Sequence, residues 1–496
     1  MRRPVRYVYL LAFIAALNSA NLGYDIGVMS GAALYIDEAM ELSEVQLELL
    51  VGTLNFWAIG GAFAAHYVID KFGRRLTFTA SCFIFVVGIL CMASAPSYGV
   101  LMMGRAITGV GVGVGLSVDP VYIAEVAPKE HRGALVTWSE ISINVGILLG
   151  FIAAFTFRDL PTDTAWRTML ACGGIMPLVL LVLTLTVMPE SPRWLVGQGR
   201  EAEAEVVLTR LNHPDADVRA LMDEITATVR LESAQQCTWR SVLFPETAGG
   251  RYAVCVGIGI AAAQQLLAEE SILFYQPRIL QQMGLGRDRI FIALILMGVL
   301  KTACIVVATY FLDGRGRRPM LLLSVGGMGV ALFGIGFFFN VGAQWGAVVS
   351  MWAYMMSFSL GIGPVCWLLA AEVFPLRIRA KAMALATVAN RVTSTIIAST
   401  FLSWADAFGY PGYFYFFAAL AAVVLVVLYL YLPETKGKSL EEMAAYFEVI
   451  AATRSANRQG AQLAAQGEVP VQGETNATTP ATGHDEDSPK QRASLV

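Results

Sequence analysis

Twelve stretches of about 20 mainly apolar residues recur along the chain, and this recurrence limits the possible folds more than any other feature. They fall at about 7–32, 46–69, 76–94, 98–124, 134–156 and 167–188, then at about 252–280, 290–312, 320–341, 345–371, 382–402 and 412–432. Each is long enough to cross ~30 Å of hydrocarbon as an α-helix. In that medium a backbone must satisfy its own polar groups, which leaves helices and closed barrels. The windows are too long and too uniformly apolar for barrel strands. An all-α integral membrane protein of six plus six spans is predicted. Composition agrees: 56% of the 496 residues are hydrophobic and 15% charged, against ~25% charged in soluble domains. A net charge of −3 gives no reason to expect a nucleic-acid partner.

The windows divide the chain into an N-terminal bundle (1–188), a polar linker (189–250), a C-terminal bundle (251–442) and a tail (443–496). The linker carries Arg200-Glu201-Ala202-Glu203-Ala204-Glu205 and a break at Asn212-His213-Pro214, so short surface helices are expected. From about 455 the chain is rich in Gln, Ala, Thr and Pro without an apolar face, a composition that favours disorder. The first window contains Asp25 and is too long for a signal-peptide core, so it is expected to be retained. Cys82, Cys91, Cys172, Cys255, Cys304 and Cys366 fall in apolar segments and Cys237 in a polar one. None has zinc or redox spacing.

Basic residues set an orientation. Arg2, Arg3 and Arg6, then Lys71, Arg74 and Arg75, Lys129 and Arg132, Arg315, Arg317 and Arg318, and Arg377, Arg379 and Lys381 all belong to one face. The positive-inside rule makes that face cytoplasmic. Arg158, Arg167, Arg287 and Arg289 dissent on the other. Both termini are then inside, and the acceptor pattern Asn476-Ala477-Thr478 is discounted for glycosylation.

An internal repeat relates the halves. Asp70-Lys-Phe-Gly-Arg74-Arg75 after span 2 is matched by Asp313-Gly-Arg-Gly-Arg317-Arg318 after span 8. Glu125…Arg132 is matched by Glu372…Arg379 at the same separation. Pro189-Glu190-Ser191-Pro192-Arg193 is matched by Pro433-Glu434-Thr435-Lys436. Three matched pairs predict two homologous halves enclosing a midplane site.

With these motifs in place, the chain from Gly23 to Glu442 resembles the sugar porters of the major facilitator superfamily. Gly-Tyr-Asp25-Ile-Gly-Val-Met-Ser-Gly, Pro120-Val-Tyr-Ile-Ala-Glu125-Val, Val299-Leu-Lys301-Thr302 and Asn390-Arg391-Val-Thr-Ser are similar to the polyol and monosaccharide–proton symporters of plants. The resemblance implies alternating access with a small solute and a proton as partners. A monomer is the expected working unit.

It also assigns roles. Asp70, Arg74, Arg75, Glu125, Glu190, Arg193, Asp313, Arg317, Arg318, Glu372, Arg379 and Glu434 would form a cytoplasmic gate of weak ion pairs, each worth ~0–1 kcal/mol where exposed. Close packing beside this gate is questioned by His66, where the family has Gly. Asp25 would carry the proton, paired with Arg132 of the Arg-Gly sequence opening span 5. An ionised carboxylate at mid-helix must pair, face water or take up a proton, and a fixed structural salt bridge is the competing reading.

Gln264, Gln265 and Glu270 in span 7, Glu140 and Asn144 in span 5, Lys301 in span 8, Phe358 and Trp367 in span 10 and Asn390 in span 11 are the expected substrate contacts. Amides offer donors and acceptors together, and aromatic rings offer flat faces to C–H surfaces. Glu140 and Lys301 depart from the hexose pattern, either as determinants of substrate range or as mutual charge compensation. In Gln264-Gln265-Leu266-Leu267-Ala268-Glu269-Glu270, Ala268 replaces the glycine that would loosen the helix. Adjacent residues lie ~100° apart on a helix, so Glu269 and Glu270 are not expected to face one ligand together.

No nucleophile–base pair, metal cluster or phosphate loop supports an enzyme or a cofactor. Gly109, Gly111, Gly113 and Gly115 follow no strand and read as close helix packing. An uncoupled facilitator and a transporter-like sugar sensor are the remaining alternatives.

Overall fold

The computed structural model describes residues 5–128, 131–214, 216–234, 238–375, 378–436, 442–443 and 446–450. Much of the expected tail therefore lies outside the described residues. The N-terminal half contains α1 (Arg6–Met40), α2 (Glu44–Phe72), α3 (Arg74–Ala93), α4 (Tyr98–Val126) and α5 (Arg132–Thr156). Its sixth crossing is α6 (Thr162–Cys172) and α7 (Ile175–Thr186), bent at Gly173-Gly174. Among the described residues, four shorter helices lie between the halves: α8 (Pro192–Gly197), α9 (Glu201–Leu211), α10 (Val218–Ala234) and α11 (Trp239–Leu243).

The C-terminal half opens with a crossing broken into α12 (Ala248–Leu266) and α13 (Glu269–Gln282). There follow α14 (Arg287–Arg315), α15 (Arg317–Val341), a second broken crossing of α16 (Gln344–Leu360) and α17 (Ile362–Val373), then α18 (Arg379–Ala398) and α19 (Phe401–Tyr431). α19 kinks at Gly409, where φ is 74°. Among the described residues, 11 segments are long and apolar enough to cross a membrane. The twelfth crossing is α18: its 20 residues rise ~30 Å, and it packs against α12 and α2. Arg379, Lys381, Asn390 and Arg391 make it the most polar of the set.

Lipid tails are as apolar as leucine, so helices associate in a membrane by close packing rather than by expelling water. α1 and α5 show this. A Cβ on Gly23 or Gly27 would lie 1.9 or 2.3 Å from the carbonyl oxygen of Ile143 or Ile147. On α4, Gly109 and Gly113 meet the carbonyls of Leu54 and Ala58 in the same way. The glycine run of span 4 is thus a packing surface. Phe56, Phe83, Leu90, Leu323, Val330 and Val426 are exposed on the outside, the surface a bilayer would cover.

The repeat seen in sequence is repeated in geometry. Gly73 (φ 91°) joins α2 to α3 and Gly316 (φ 90°) joins α14 to α15. A Cβ would meet Glu190 Oε2 at 2.4 Å in the first case and Glu434 Oε2 at 2.8 Å in the second. Positive φ and the approaching carboxylate both require glycine at these two junctions. Glu190 accepts the backbone N–H groups of Arg74 and Arg75, at 2.8 and 3.2 Å. Glu434 accepts those of Arg317 and Arg318, at 3.0 and 3.1 Å. Each carboxylate caps a helix N-terminus, where orphan N–H groups and the helix dipole favour negative charge.

Candidate substrate and coupling site

Two breaks create the polar interior of the C-terminal half. Ala268 adopts φ 67°, so the seventh crossing stops at Leu266 and restarts at Glu269. The expectation that Ala268 would keep this helix rigid is corrected. The Leu267 carbonyl freed by the break accepts the Tyr354 hydroxyl at 2.6 Å. Glu269 and Glu270 become the first residues of α13, where the helix dipole favours acids. The tenth crossing breaks at Gly361, and the Ile362 N–H finds Ser324 Oγ at 3.0 Å.

From these breaks a chain of hydrogen bonds runs through the bundle. Gln264 Nε2 donates to the Gly363 carbonyl at 2.9 Å, and Gln264 Oε1 accepts Asn390 Nδ2 at 2.8 Å. Asn390 Oδ1 accepts Arg391 Nη2 at 2.6 Å, and Arg391 Nη1 reaches Glu270 at 2.9 Å. Glu270 also accepts Asn55 Nδ2 at 2.5 Å and the Ser394 hydroxyl. Asn55 lies on α2, so the network joins the two halves. Arg391 is its hub, named in the sequence only as part of a motif.

The two adjacent acids do diverge, as their spacing predicts. Glu269 turns to Lys301, 2.6 Å away, and both are buried. The Lys301 ammonium sits 5.3 Å from the centre of the Phe358 ring, a cation–π distance. Direct compensation of Lys301 therefore comes from Glu269. Glu140 is within electrostatic reach of Lys301, Glu269 and Arg391. Asn144 Nδ2 folds back onto the Glu140 carbonyl at 2.8 Å, leaving its Oδ1 without a partner. Gln265 Oε1 is likewise buried and unpartnered. Trp367 on α17 is half-buried.

A separate ion pair lies within the N-terminal half. Asp25 Oδ2 is 2.6 Å from Arg105 Nη1, and both side chains are almost wholly buried. Arg105 Nε also donates to the Leu50 carbonyl at 3.1 Å. The expected partner, Arg132, is displaced from this role. It opens α5 eleven residues before Ile143, the residue that Gly23 packs on. At ~1.5 Å per residue that is ~16 Å along the helix. The Arg132 side chain itself lies outside the described residues.

The expected gate residues lie at the face carrying the basic loops. Arg74 pairs with Glu125 at 2.7 Å and more loosely with Asp70 at 3.9 Å. Arg75 Nε donates to the Thr184 carbonyl at 3.0 Å. Arg317 pairs with Glu372 at 3.0 Å, and Thr435 donates to Glu372 at 2.6 Å. Arg318 donates to the Tyr429 carbonyl at 2.6 Å, and Arg379 Nε to the Phe374 carbonyl at 3.2 Å. Each of these contacts lies within one half. Arg193 sits at the second position of α8, beside Ser191, which caps that helix. The Asp313 side chain lies outside the described residues. His66 is half-buried, 6.1 Å from the Trp239 ring of α11.

Among the described residues, the ion pairs that cross between the halves occur on the opposite face. Arg278 pairs with Asp37 at 2.9 Å and Glu44 at 3.3 Å, Arg287 with Glu38 at 3.3 Å, and Arg158 with Asp288 at 2.9 Å. Glu48 accepts both the N–H and the hydroxyl of Ser403, each at 2.7 Å. These close the face opposite the basic loops. The sequence had shown two of these arginines, Arg158 and Arg287, only as exceptions to the charge rule, and Arg278 not at all.

Twelve crossings in two repeated halves around a buried polar centre define a membrane transporter of the major facilitator fold. The family described as sugar (and other) transporter matches residues 11–447, and the chain belongs to it. A protein of Arabidopsis thaliana called probable polyol transporter 4 is 39% identical over 454 residues, covering 90% of this chain and 86% of that one. The proton:xylose symporter XylE, solved with 6-bromo-6-deoxy-D-glucose, is 27% identical with a TM-score of 0.76, covering 89% of this chain and 99% of its own. XylE from E. coli in an inward open conformation gives a TM-score of 0.77 at 26% identity, covering 88% and 99%.

Proposed function

We propose that the protein is a proton-coupled symporter of a polyol or monosaccharide, working by alternating access. The observation that carries this reading is the Asp25–Arg105 pair. A carboxylate buried at mid-helix beside a single guanidinium can exchange its ion pair for a proton when the surroundings change. One proton crossing ~100 mV gains ~2.3 kcal/mol, and one pH unit adds ~1.4. Together they support a solute gradient of several hundred-fold, at a factor of ten per ~1.4 kcal/mol.

The solute site is assigned to Gln264, Gln265, Glu270, Asn390, Glu140, Asn144, Lys301, Phe358 and Trp367. A polyhydroxylated solute gives up water on entry, and each hydroxyl then needs a partner. The unpartnered Gln265 Oε1 and Asn144 Oδ1 are acceptors of the kind such hydroxyls fill. Glu190, Glu434 and the basic-face pairs serve as the inner gate. Arg278, Arg287 and Arg158 serve as the outer gate, engaged in this conformation. The run of basic loops supports a cytoplasmic basic face under the positive-inside rule, and the plasma membrane is the membrane we assign.

One observation favours an uncoupled facilitator: Arg105 is also held by the Leu50 carbonyl, which steadies the pair. Uptake into proteoliposomes under an imposed pH gradient, competed by hexoses, linear polyols and inositol, separates the readings. Accumulation above equilibrium that collapses with a protonophore supports symport. Equilibration indifferent to the protonophore supports the facilitator.

A further inference from the structure

The mechanism above leaves one buried acid unused. Asp119 lies on α4 beside Pro120 and is 1% exposed. Its carboxyl oxygens meet Asn18 Nδ2 at 2.7 Å and Ser19 Oγ at 2.5 Å, both from α1. Among the described residues the side chains acting on it are these two. The thiol of Cys82 faces it from α3, and α2 meets α4 nearby with Ala58 and Ala65. The nearest charged pairs along α1 and α4 are Asp25–Arg105 and Arg74–Glu125, which have each other as partners. A carboxyl so enclosed and without a cation is far less costly protonated than ionised.

Its position is informative. Asn18, Asn21 and Asp25 are spaced i, i+3, i+7, so they form one stripe on α1. All three are buried. Asn21 Nδ2 points to Asn18 Oδ1 at 3.4 Å, while Asn21 Oδ1 has no partner. A pocket of about 10 Å³ bordered by Asn18, Ser19, Leu22 and Gly115 adjoins the stripe, room for about one water. α1 runs away from the basic face, so Asn18 lies ~10 Å nearer to that face than Asp25. Asp119 is six residues short of Glu125 at the basic end of α4, ~9 Å.

We propose that Asp119 is a second proton station, relaying the proton of Asp25 towards the basic face. Asp119, protonated at rest, first releases its proton to the basic face. In the transfer step the Asp25 carboxyl loses its proton and re-forms the ion pair with Arg105. The proton from Asp25 then passes along the Asn21–Asn18 stripe through water and returns the Asp119 carboxylate to a carboxylic acid. Charge and protons balance, and one proton moves per cycle. This rests on the proton-coupling reading, and its test is chosen to fail separately.

Asp119→Asn keeps the hydrogen-bonding shape and removes the titratable group. In proteoliposomes, exchange of labelled D-sorbitol or D-xylose across equal pH reports folding and solute binding. Uptake driven by a pH gradient reports coupling. The relay predicts at least a tenfold loss of driven uptake in Asp119→Asn, exchange within about threefold of wild type, and partial rescue in Asp119→Glu. Infrared difference spectra should show the protonated carboxyl stretch lost in Asp119→Asn and retained in Asp25→Asn. Driven uptake and a pH profile unchanged in Asp119→Asn, with wild-type coupling intact, overturn the relay alone. Wild-type exchange without any proton uptake overturns the coupling reading and the relay with it. Should Asp119→Asn lose exchange too, Asp119→Glu decides: exchange restored without any driven uptake contradicts the proposal.

Discussion

Asp25 meets Arg105 at 2.6 Å in the middle of the N-terminal half, on α4 and not at the head of α5. Asp25→Asn is expected to abolish accumulation against a gradient while exchange persists. Arg105→Met removes the cation and strands the carboxylate, a loss of about 3–5 kcal/mol where a buried pair is broken from one side. Thermal unfolding in detergent should show Arg105→Met well below Asp25→Asn. Undiminished proton-driven uptake in Asp25→Asn would end the coupling role of this pair.

Lys301 and Glu269 should behave as a unit. Lys301→Asn alone leaves Glu269 buried without its 2.6 Å partner, and stability should fall by about 3–5 kcal/mol. Adding Glu269→Gln should recover most of it. The double variant tests substrate range as well: with the charges gone, competition is expected to shift from linear polyols towards hexoses. A double variant no more stable than Lys301→Asn would show that Glu269 is not the compensating charge.

Gln264→Ala leaves Asn390 and the Gly363 carbonyl without the bonds at 2.8 and 2.9 Å. Substrate affinity should weaken by about 1–3 kcal/mol, the cost of a buried polar group left unpaired. Trp367→Ala should weaken it comparably through lost contact area. Titration of the purified variants measures both, and unchanged affinity in the two together would move the solute site elsewhere.

Arg278→Ala removes two cross-half ion pairs on the closed face. Pairs this exposed contribute ~0–1 kcal/mol each, enough to shift a conformational balance several-fold without unfolding the protein. Spin labels at Glu41 and Arg289 should report longer distances in the variant. An unchanged distribution would show that these arginines do not hold the outer gate.

The two repeat carboxylates should titrate apart. Burial raises Glu190 above its ordinary value, and its three backbone N–H bonds only partly offset this. Burial also acts on Glu434, but the N–H groups of Lys436, Arg317, Arg318 and Thr435 outweigh it and hold the carboxyl low. Glu434 therefore adds stability above the unfolded glutamate value of ~4.3, lost as pH falls through its own lower value. Glu190 has the opposite sign: its contribution is full below ~4.3 and is lost as pH rises through its higher value. Carboxyl-carbon NMR, assigned with Glu190→Gln and Glu434→Gln, should find Glu190 taking its proton at the higher pH. The reverse order would contradict the geometry.

Much of the fold was legible because lipid makes it so. Helix length and apolarity are imposed by the bilayer, and the glycine junctions and capping acids repeat as local motifs. The breaks were less legible. Ala268 takes a left-handed conformation at a break where Tyr354, 86 residues away in sequence, donates its hydroxyl to the freed Leu267 carbonyl. That is a tertiary contact with no local signal. Arg105 did carry a signal, as a lone arginine in an apolar span, but the family resemblance directed attention to Arg132. Arg391 was visible as a motif, and only packing shows it bridging Asn390 to Glu270 and Asn55.

The most direct test of proton coupling is the membrane potential at which net solute flux stops. A neutral solute carried with one proton makes transport electrogenic. In proteoliposomes clamped by a potassium gradient with valinomycin, at equal pH, a tenfold gradient of D-sorbitol or D-xylose should be balanced by about 59 mV. Asp25→Asn should lose this dependence. A wild-type flux that vanishes only when solute concentrations are equal, whatever the potential, would contradict the account.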